Sequence, residues 1–138
     1  MGIAALITWL LTAVGGFVLL GTWVAKGGAR QPATTHLPPP VVFGHFLLAV
    51  AGLVVWIVYL VIDKTALAWI AFALLVPVAL LGFTMLVRWL PVYRARSAAD
   101  VPAPAEQHFP IAVVAGHGVF AVTTVILTLL TALGVGEN

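Results

Sequence analysis

Residues 36–45 read His-Leu-Pro-Pro-Pro-Val-Val-Phe-Gly-His, and residues 108–117 read His-Phe-Pro-Ile-Ala-Val-Val-Ala-Gly-His. Both segments follow the pattern H-x-P-x-x-V-V-x-G-H, and each runs directly into a long apolar segment. We call them the two histidine phrases. All four histidines of the chain lie within them. The repetition indicates a duplicated site, so the four histidines are interpreted together.

The composition is that of a membrane protein. Of the 138 residues, 63% are hydrophobic and only 7% are charged, and the mean hydropathy is +1.19, whereas soluble domains carry about 25% charged residues. Four apolar runs, at about 3–25, 41–62, 67–90 and 110–134, are each long enough for a bilayer, which needs about 20 helical residues. The runs lack the alternation of barrel strands. We therefore predict an all-α, integral membrane four-helix bundle in a lipid bilayer.

Several classes of protein are excluded or disfavoured by what the chain lacks. It has no cysteine, so disulfides and thiolate metal sites are excluded. A net charge of +2 is too small to indicate a nucleic-acid partner. There is no acid pair, catalytic triad or phosphate loop, so we expect an electron carrier or a subunit more than an independent enzyme. The first apolar run has no basic segment before it and is predicted to be a retained helix.

The basic residues predict the orientation in the membrane. Five of the six lysines and arginines border the first and third loops, and only Lys64 lies in the second. Loops rich in Lys and Arg stay cytoplasmic. The sequence therefore predicts a plasma-membrane protein with both termini outside and all four histidines on the cytoplasmic side. The five cytoplasmic cations would be Lys26, Arg30, Arg88, Arg94 and Arg96.

The duplication extends beyond the histidines. Residues 36–51 match residues 108–123 at a constant offset of 72, and half of the positions are identical. The first and third apolar runs share the pattern Gly-Phe-x-x-Leu-x-x-Trp, which begins at Gly16 and at Gly82, an offset of 66. We predict two tandem helical hairpins, about 3–62 and 67–134, related by a pseudo-two-fold axis along the membrane normal.

His45 and His117, the second histidines of the two phrases, are predicted to lie at equal depth on opposite sides of this axis. Ionisable residues inside hydrocarbon are costly and suggest function. The alternative is a neutral imidazole that hydrogen-bonds a carbonyl of a neighbouring helix. Neighbouring helix axes are about 8–10 Å apart, so diagonal helices are about 11–14 Å apart. That gap suits a metal bound by one imidazole from each side, with bonds of about 2.0 Å.

A haem between these two histidines would need space, and small residues are predicted to supply it. Gly16 and Gly82 each lie seven residues before a tryptophan that is predicted to be interfacial, about 10 Å along the helix. That is close to the expected depth of the histidines. Small residues also pack membrane helices without any ligand, which leaves that alternative open. The small residues predicted to line the cofactor are Gly44, Gly116, Ala49, Ala121, Gly16 and Gly82.

The two remaining histidines are assigned a secondary role. His36 and His108 lie nine residues before the deep histidines, too far along the axis to share one metal with them. They could contact haem propionates, cap their helices, relay protons or form a separate surface metal site. Arg30, Arg94 and Arg96 are on the side predicted to face the propionates, although marking the topology would also explain their position.

This arrangement resembles the bis-histidyl b-type cytochromes that transfer electrons in membranes and anchor haem for quinone-linked dehydrogenases. The resemblance is architectural and rests on His45 and His117. It implies one haem b and electron transfer, with a quinone, a redox protein, a larger membrane complex or a second copy of the chain as partner. The commonest such cytochromes hold two haems with paired histidines on each of two helices, whereas one deep histidine per helix implies one haem here.

Two other functions remain open at this point. A small metal or proton transporter could use the four histidines, because imidazole binds zinc, copper, nickel and iron. A non-catalytic assembly or accessory subunit would use them only for packing. The carboxylates give the transporter little support. Asp63 is predicted to lie outside, and Asp100 and Glu106 fall in an Ala/Pro-rich third loop that is predicted to be mobile up to Gln107.

Overall fold

The computed structural model describes residues 1–97 and 102–136, and this part of the chain is all-helical. Each of the four α-helices is long and apolar enough to cross a membrane. The chain is thus a multi-pass membrane protein, and the predicted all-α fold with four helices is confirmed. The helices are α1 (Gly2–Ala25), α2 (Pro39–Ile62), α3 (Thr65–Arg94) and α4 (Ile111–Ala132), and a 3-10 turn (Ala105–His108) precedes α4.

The helices form a ring in chain order. The most extensive packing is between α2 and α3 and between α1 and α4, and the contacts of α3 with α4 and of α1 with α2 close the ring. Within the described residues, the backbones of α2 and α4 do not approach each other closely, and neither do those of α1 and α3. The two helices that carry the deep histidines are therefore diagonal. The most extensive packing joins helices from different predicted hairpins.

Prolines of the two histidine phrases determine where α2 and α4 begin. Pro38 and Pro110 are the residues before the first helical turn, both in an extended conformation, with φ of −60° and −65°. Proline suits such a position because its fixed φ fits a helix start, where amide groups lack intrahelical partners. At the other end of α2, Asp63 adopts a left-handed conformation with φ of 55°. This conformation permits a tight turn into α3, which begins at Thr65.

Helix α3 is longer than predicted. The sequence indicates an end near residue 90, before Pro91, but the helix continues to Arg94. A proline near a helix end removes one intrahelical hydrogen bond, and tertiary packing compensates for that loss here. Trp89 and Val92 are both buried against the rest of the bundle, so the extra turn is stabilised by contacts that the local sequence does not reveal.

The half of the bundle away from the histidine phrases has a solid aromatic core. We call it the distal half; it contains the first halves of α1 and α3 and the second halves of α2 and α4. Trp56 is fully buried, with ring centroids 4.8 Å from Tyr59 and 6.4 Å from Trp9. Its indole N–H donates to the carbonyl of Gly2 at 3.2 Å. The opposite half, the histidine half, is built differently.

Candidate functional site: a two-fold cavity between two histidines

A large apolar cavity occupies the histidine half of the bundle. Its volume is about 490 Å³, within the range of about 300–1,000 Å³ that is typical of cofactor and ligand sites. His45 of α2 and His117 of α4 both line it. Their ring centroids are 6.3 Å apart, and the ring planes are inclined by 58°. The two deep histidines thus meet across the centre of the bundle.

Each deep histidine is anchored to a helix of the other predicted hairpin. His45 donates from Nδ1 to the carbonyl oxygen of Val78 on α3, and His117 donates from Nδ1 to that of Thr12 on α1, both at 2.9 Å. A neutral imidazole that donates from Nδ1 carries its lone pair on Nε2. Neither Nε2 hydrogen-bonds to residues 1–97 or 102–136. The cavity is therefore lined by two imidazoles whose Nε2 atoms are free to bind a metal.

Gly16 and Gly82 make these two anchors possible. In a helix, a side chain covers the turn that precedes its own Cα. Gly16 follows Thr12 by four residues, and Gly82 follows Val78 by four, so each glycine leaves the accepting carbonyl uncovered. A Cβ at Gly16 would lie 3.2 Å from Cε1 of His117, and one at Gly82 would lie 3.3 Å from Cε1 of His45. Both glycines line the cavity, and they make room for the imidazoles themselves; their contact with a cofactor stays a prediction.

The walls of the cavity follow the two sequence offsets. Of the 32 residues that line it, 30 form pairs related by 66 positions between α1 and α3 or by 72 positions elsewhere. The exceptions are Thr124 and Ile126. The two histidine anchors obey the same rule, since Val78 is 66 positions after Thr12 and His117 is 72 after His45. The cavity is accordingly close to two-fold symmetric in its residue composition.

The other small residues predicted at the cofactor divide into two groups. Ala49 and Ala121 line the cavity. Gly44 and Gly116 do not, and a Cβ added at Gly116 would meet nothing within 4 Å. Gly44 and Gly116 lie off the cavity because adjacent helical residues point about 100° apart around the axis, and their contact with a cofactor stays a prediction. A glycine directly before an inward-facing histidine therefore faces another direction.

The arginines predicted near haem propionates are exposed and do not line the cavity. Arg30 and Arg94 lie on the surface. Arg96 lies over the ring of Tyr93, 4.0 Å from its centroid, and donates to the Tyr93 carbonyl at 2.7 Å. Their contact with a cofactor stays a prediction.

The first histidines of the phrases lie at the end of the bundle and outside the cavity lining. His108 donates from Nδ1 to the carbonyl of Ala105 at 3.2 Å, within the 3-10 turn. The ring of His36 is 58% exposed, and its Nδ1 lies 3.1 Å from Oε1 of Glu106. Both positions agree with the expectation that these histidines are too far from the deep pair to share its ligand.

Glu106 is the residue that sequence reasoning missed. It was placed in a mobile loop, yet it lies in the 3-10 turn and its side chain is fully buried. It binds the segment that leads into the first histidine phrase, through Thr35 and His36. The only sequence signal was its position two residues before His108, and no local pattern indicates a partner 70 residues earlier. The other carboxylate of this loop, Asp100, lies outside the described residues.

Trp23 and Trp89, which the sequence predicts at the membrane interface, are buried within the bundle and line the cavity. They occupy the end of the bundle near the histidine phrases and separate the cavity from the loops. Their indole N–H groups donate to Thr35 and to the backbone carbonyl of Glu106. A Cβ at Gly28 would lie 2.2 Å from Nε1 of Trp23, so only glycine allows the first loop to fold so closely over this ring.

The described residues contain no group of three or more His, Cys, Asp or Glu side chains that could hold a metal ion. The four histidines are instead divided between the cavity and the end of the bundle. No family model matches the chain, and comparisons with curated proteins and with solved structures give no match. The function must therefore be argued from the geometry of the site.

Proposed function

We propose that the chain is a membrane haem b protein in which His45 and His117 bind one haem, for electron transfer or as the haem-bearing subunit of a larger membrane complex. One observation carries the proposal. Two imidazoles, each fixed through Nδ1 and each with a free Nε2, face the same two-fold cavity from opposite helices. A haem has an approximate two-fold symmetry of its own, so each of its faces would meet equivalent residues.

The spacing of the two rings supports a shared metal. A metal–imidazole bond is about 2.0 Å long, and the ring centre lies about 1 Å behind the ligating nitrogen, so two opposed ligands of one metal have centroids about 6 Å apart. The observed separation is 6.3 Å. Metal-binding histidines also commonly donate their second ring N–H to a backbone carbonyl, which fixes the tautomer and the ring orientation. Both deep histidines do so.

The packing alternative explains only part of this geometry. A histidine that merely packs in a membrane would also be neutral and bound to a carbonyl. Such a role would not require a cavity of about 490 Å³ lined by both histidines. Interiors are normally close-packed, and a cavity of this size lowers stability unless a ligand fills it. The size of the cavity and the two free nitrogens together favour a cofactor.

Each residue type at the site would contribute a separate property. His45 and His117 would hold the haem iron through their free Nε2 atoms, and the bound group would supply one-electron transfer. Trp23 and Trp89 would keep water from the cavity at one end. Phe17 and Phe83, which line the cavity and are more than half exposed towards lipid, would give a redox partner or quinone an apolar approach.

The proposed placement is in a plasma membrane with the histidine half towards the cytoplasm. It is supported by the charge distribution, since only Lys64 among the lysines and arginines lies at the distal end. A quinone, a redox protein, a larger complex or a second copy of the chain would then exchange electrons with the cofactor. The apolar surface of the four helices indicates the lipid bilayer itself as a constant partner.

The optical spectrum of the purified protein tests the proposal. Protein produced with haem supplementation should show a Soret band, and reduction should give the sharp visible bands of a bis-histidyl haem. His45→Ala and His117→Ala should each abolish the band. His36→Ala and His108→Ala are matched controls that should retain it. A colourless wild-type protein would refute the proposal, and elemental analysis showing a stoichiometric divalent metal in it would favour the transporter.

A further inference from the structure

The buried carboxylate of Glu106 is not used by the histidine pair or by the cavity walls. We infer that Glu106 is a fixed negative charge that lowers the redox potential of the proposed haem, and that it tethers residues 26–38 over the cavity. This inference rests on the proposed function, because a potential requires the cofactor. The tether concerns the chain alone and is tested separately.

The hydrogen bonds around Glu106 indicate an ionised carboxylate. Oε1 accepts from the backbone amide of His36, and Oε2 lies 2.8 Å from the hydroxyl of Thr35. The Thr35 oxygen already accepts from Trp23 Nε1 and from the amide of Leu37, both at 3.1 Å. With two lone pairs occupied, its hydrogen is directed to Glu106. The carboxylate therefore receives hydrogen bonds at both oxygens, and only the ionised form accepts at both without donating.

The surroundings of Glu106 compensate the cost of a buried charge. Burying an unpaired ion is expensive, and hydrogen bonds to the charged form offset that cost. His36 adds its Nδ1 at 3.1 Å from Oε1. Arg88 donates from Nε to the carbonyl of His36, which places a guanidinium beside the same segment. His108 faces the carbonyl of Ala105 and not the carboxylate. The carboxylate is thus bound by residues of the first loop, and Arg88 binds the backbone of the same segment.

Glu106 is separated from the cavity by a single layer of side chains. Trp23 and Trp89 line the cavity and hydrogen-bond directly to Thr35 and to the backbone carbonyl of Glu106. Leu37 and Phe109, which flank the same network in sequence, line the cavity as well. A charge acting through such an apolar layer is poorly screened by water and salt. Glu106 is therefore placed to act on any charge that changes inside the cavity.

The direction of the effect follows from charge alone. Iron(III) carries one more positive charge than iron(II), so a fixed anion nearby stabilises the oxidised form and lowers the redox potential. Neutralising Glu106 should raise the potential. Opening the cavity to water would have the opposite sign, because water also stabilises the more highly charged oxidised form. A raised redox potential therefore indicates loss of the charge, and a lowered redox potential indicates that loss of the tether has opened the cavity to water.

The first experiment is a redox titration of the haem-loaded protein. Glu106→Gln should raise the midpoint potential, giving an about tenfold higher ratio of reduced to oxidised haem at a fixed applied potential. Thr35→Val keeps the charge and removes a tethering hydrogen bond, and Glu106→Asp keeps the charge on a shorter side chain; neither should raise the potential. An unchanged or lower potential in Glu106→Gln would overturn the electrostatic inference. A wild-type protein without a Soret band would instead refute the proposed function.

A second measurement does not depend on a variant at Glu106. The sequence has two glutamates, so labelling with ¹³C-glutamate in a Glu137→Gln background makes Glu106 the only labelled side chain. The infrared spectrum should show an ionised carboxylate band in both oxidation states that shifts on reduction. A protonated carboxyl band in the oxidised protein would contradict the inference.

The tether is tested on the protein without cofactor. Trypsin cleaves after Lys26 and Arg30, within the segment that Glu106 holds. Glu106→Gln and Thr35→Val should both increase the cleavage rate there severalfold. Cleavage after Lys64, in the turn at the distal end, serves as the internal control and should not change. Equal cleavage rates in wild type and both variants would rule out the tether.

Discussion

The histidine half and the distal half of the bundle differ in how far they keep the two-fold relationship. In the histidine half, nearly every cavity residue has a counterpart at an offset of 66 or 72. In the distal half, the relationship fails between α2 and α4, where aromatic residues correspond to threonines. Trp56 and Tyr59 lie 72 positions before Thr128 and Thr131, and all four are buried. Symmetry is thus retained where two histidines face one cavity, and lost where the helices only pack.

The difference also shows how stability and function are divided. A cavity of about 490 Å³ removes packing contacts from the histidine half. The distal half is filled around Trp56, with the fully buried small residues Ala5, Ala68 and Ala71 allowing close approach of the helices. The distal core should therefore hold the bundle together whether or not the cavity contains a ligand. Substitutions in the two halves should then affect different measurements.

The largest expected effect is on cofactor binding in the histidine half. Gly16→Leu or Gly82→Leu should displace the adjacent imidazole, because even a Cβ would lie 3.2 or 3.3 Å from its Cε1. The ratio of Soret to protein absorbance should fall at least tenfold. Leucine is a good helix former, so the helices themselves should persist in circular dichroism.

Gly116→Leu is the matched control for this substitution. Gly116 lies next to His117, but a Cβ there meets nothing within 4 Å. The variant should bind cofactor as the wild type does. Equal cofactor content in Gly16→Leu and Gly116→Leu would contradict the proposed role of the glycines.

A large effect on stability, and none on the spectrum, is expected from the distal core. Trp56→Ala removes a fully buried side chain and its hydrogen bond to Gly2, and such truncations cost about 3–5 kcal/mol. Trp69→Ala is the control, since Trp69 is 43% exposed and surface substitutions usually change stability by less than about 0.5 kcal/mol. Unfolding of the detergent-solubilised protein by SDS measures both. Similar losses in the two variants would show that the aromatic core is not the main source of stability.

The smallest expected effects are at two buried threonines of α4, Thr124 and Thr128. Thr124 Oγ lies 2.9 Å from Thr8 Oγ1, and an interhelical hydrogen bond in a membrane protein averages about 0.6 kcal/mol. Thr124→Val should cost about that amount. Thr128 has a buried hydroxyl without a partner in the described residues, so Thr128→Val should be neutral or stabilising, by up to about 1 kcal/mol. The same SDS titration should show a lower stability for Thr124→Val and an unchanged or higher stability for Thr128→Val, and a destabilised Thr128→Val would indicate a bound water there.

The sequence predicted those features that depend on pattern alone. Hydropathy identified four membrane helices, and the repeated phrases placed His45 and His117 together, because equal offsets from the same helix start imply equal depth. Features that depend on rotation about a helix or on contacts between distant segments were not predicted. The direction in which Gly44 and Gly116 face depends on the rotation of their helices. The burial of Glu106 against residues 35 and 36 depends on a contact between distant segments.

The role of Gly16 and Gly82 shows why other features of the site could not be predicted from the sequence. Their depth was predicted, and their presence at the cavity was expected from the space that a cofactor needs. Gly16 uncovers the Thr12 carbonyl for His117, and Gly82 uncovers the Val78 carbonyl for His45. These contacts depend on the pairing of α1 with α4 and of α2 with α3. Nothing in hydropathy distinguishes this pairing from the alternative in which each hairpin packs mainly on itself.

The crossed anchoring of the deep histidines has a consequence for biogenesis. Helix α1 is synthesised before the other helices, but the hydrogen bond to its Thr12 carbonyl cannot form until His117 of α4 is synthesised, about 100 residues later. Neither predicted hairpin contains a complete imidazole anchor, since His45 also needs α3 of the other. The cavity is therefore complete only once the fourth helix has entered the membrane. Loading of a cofactor would be post-translational, and a chain truncated before α4 would insert its helices without forming the site.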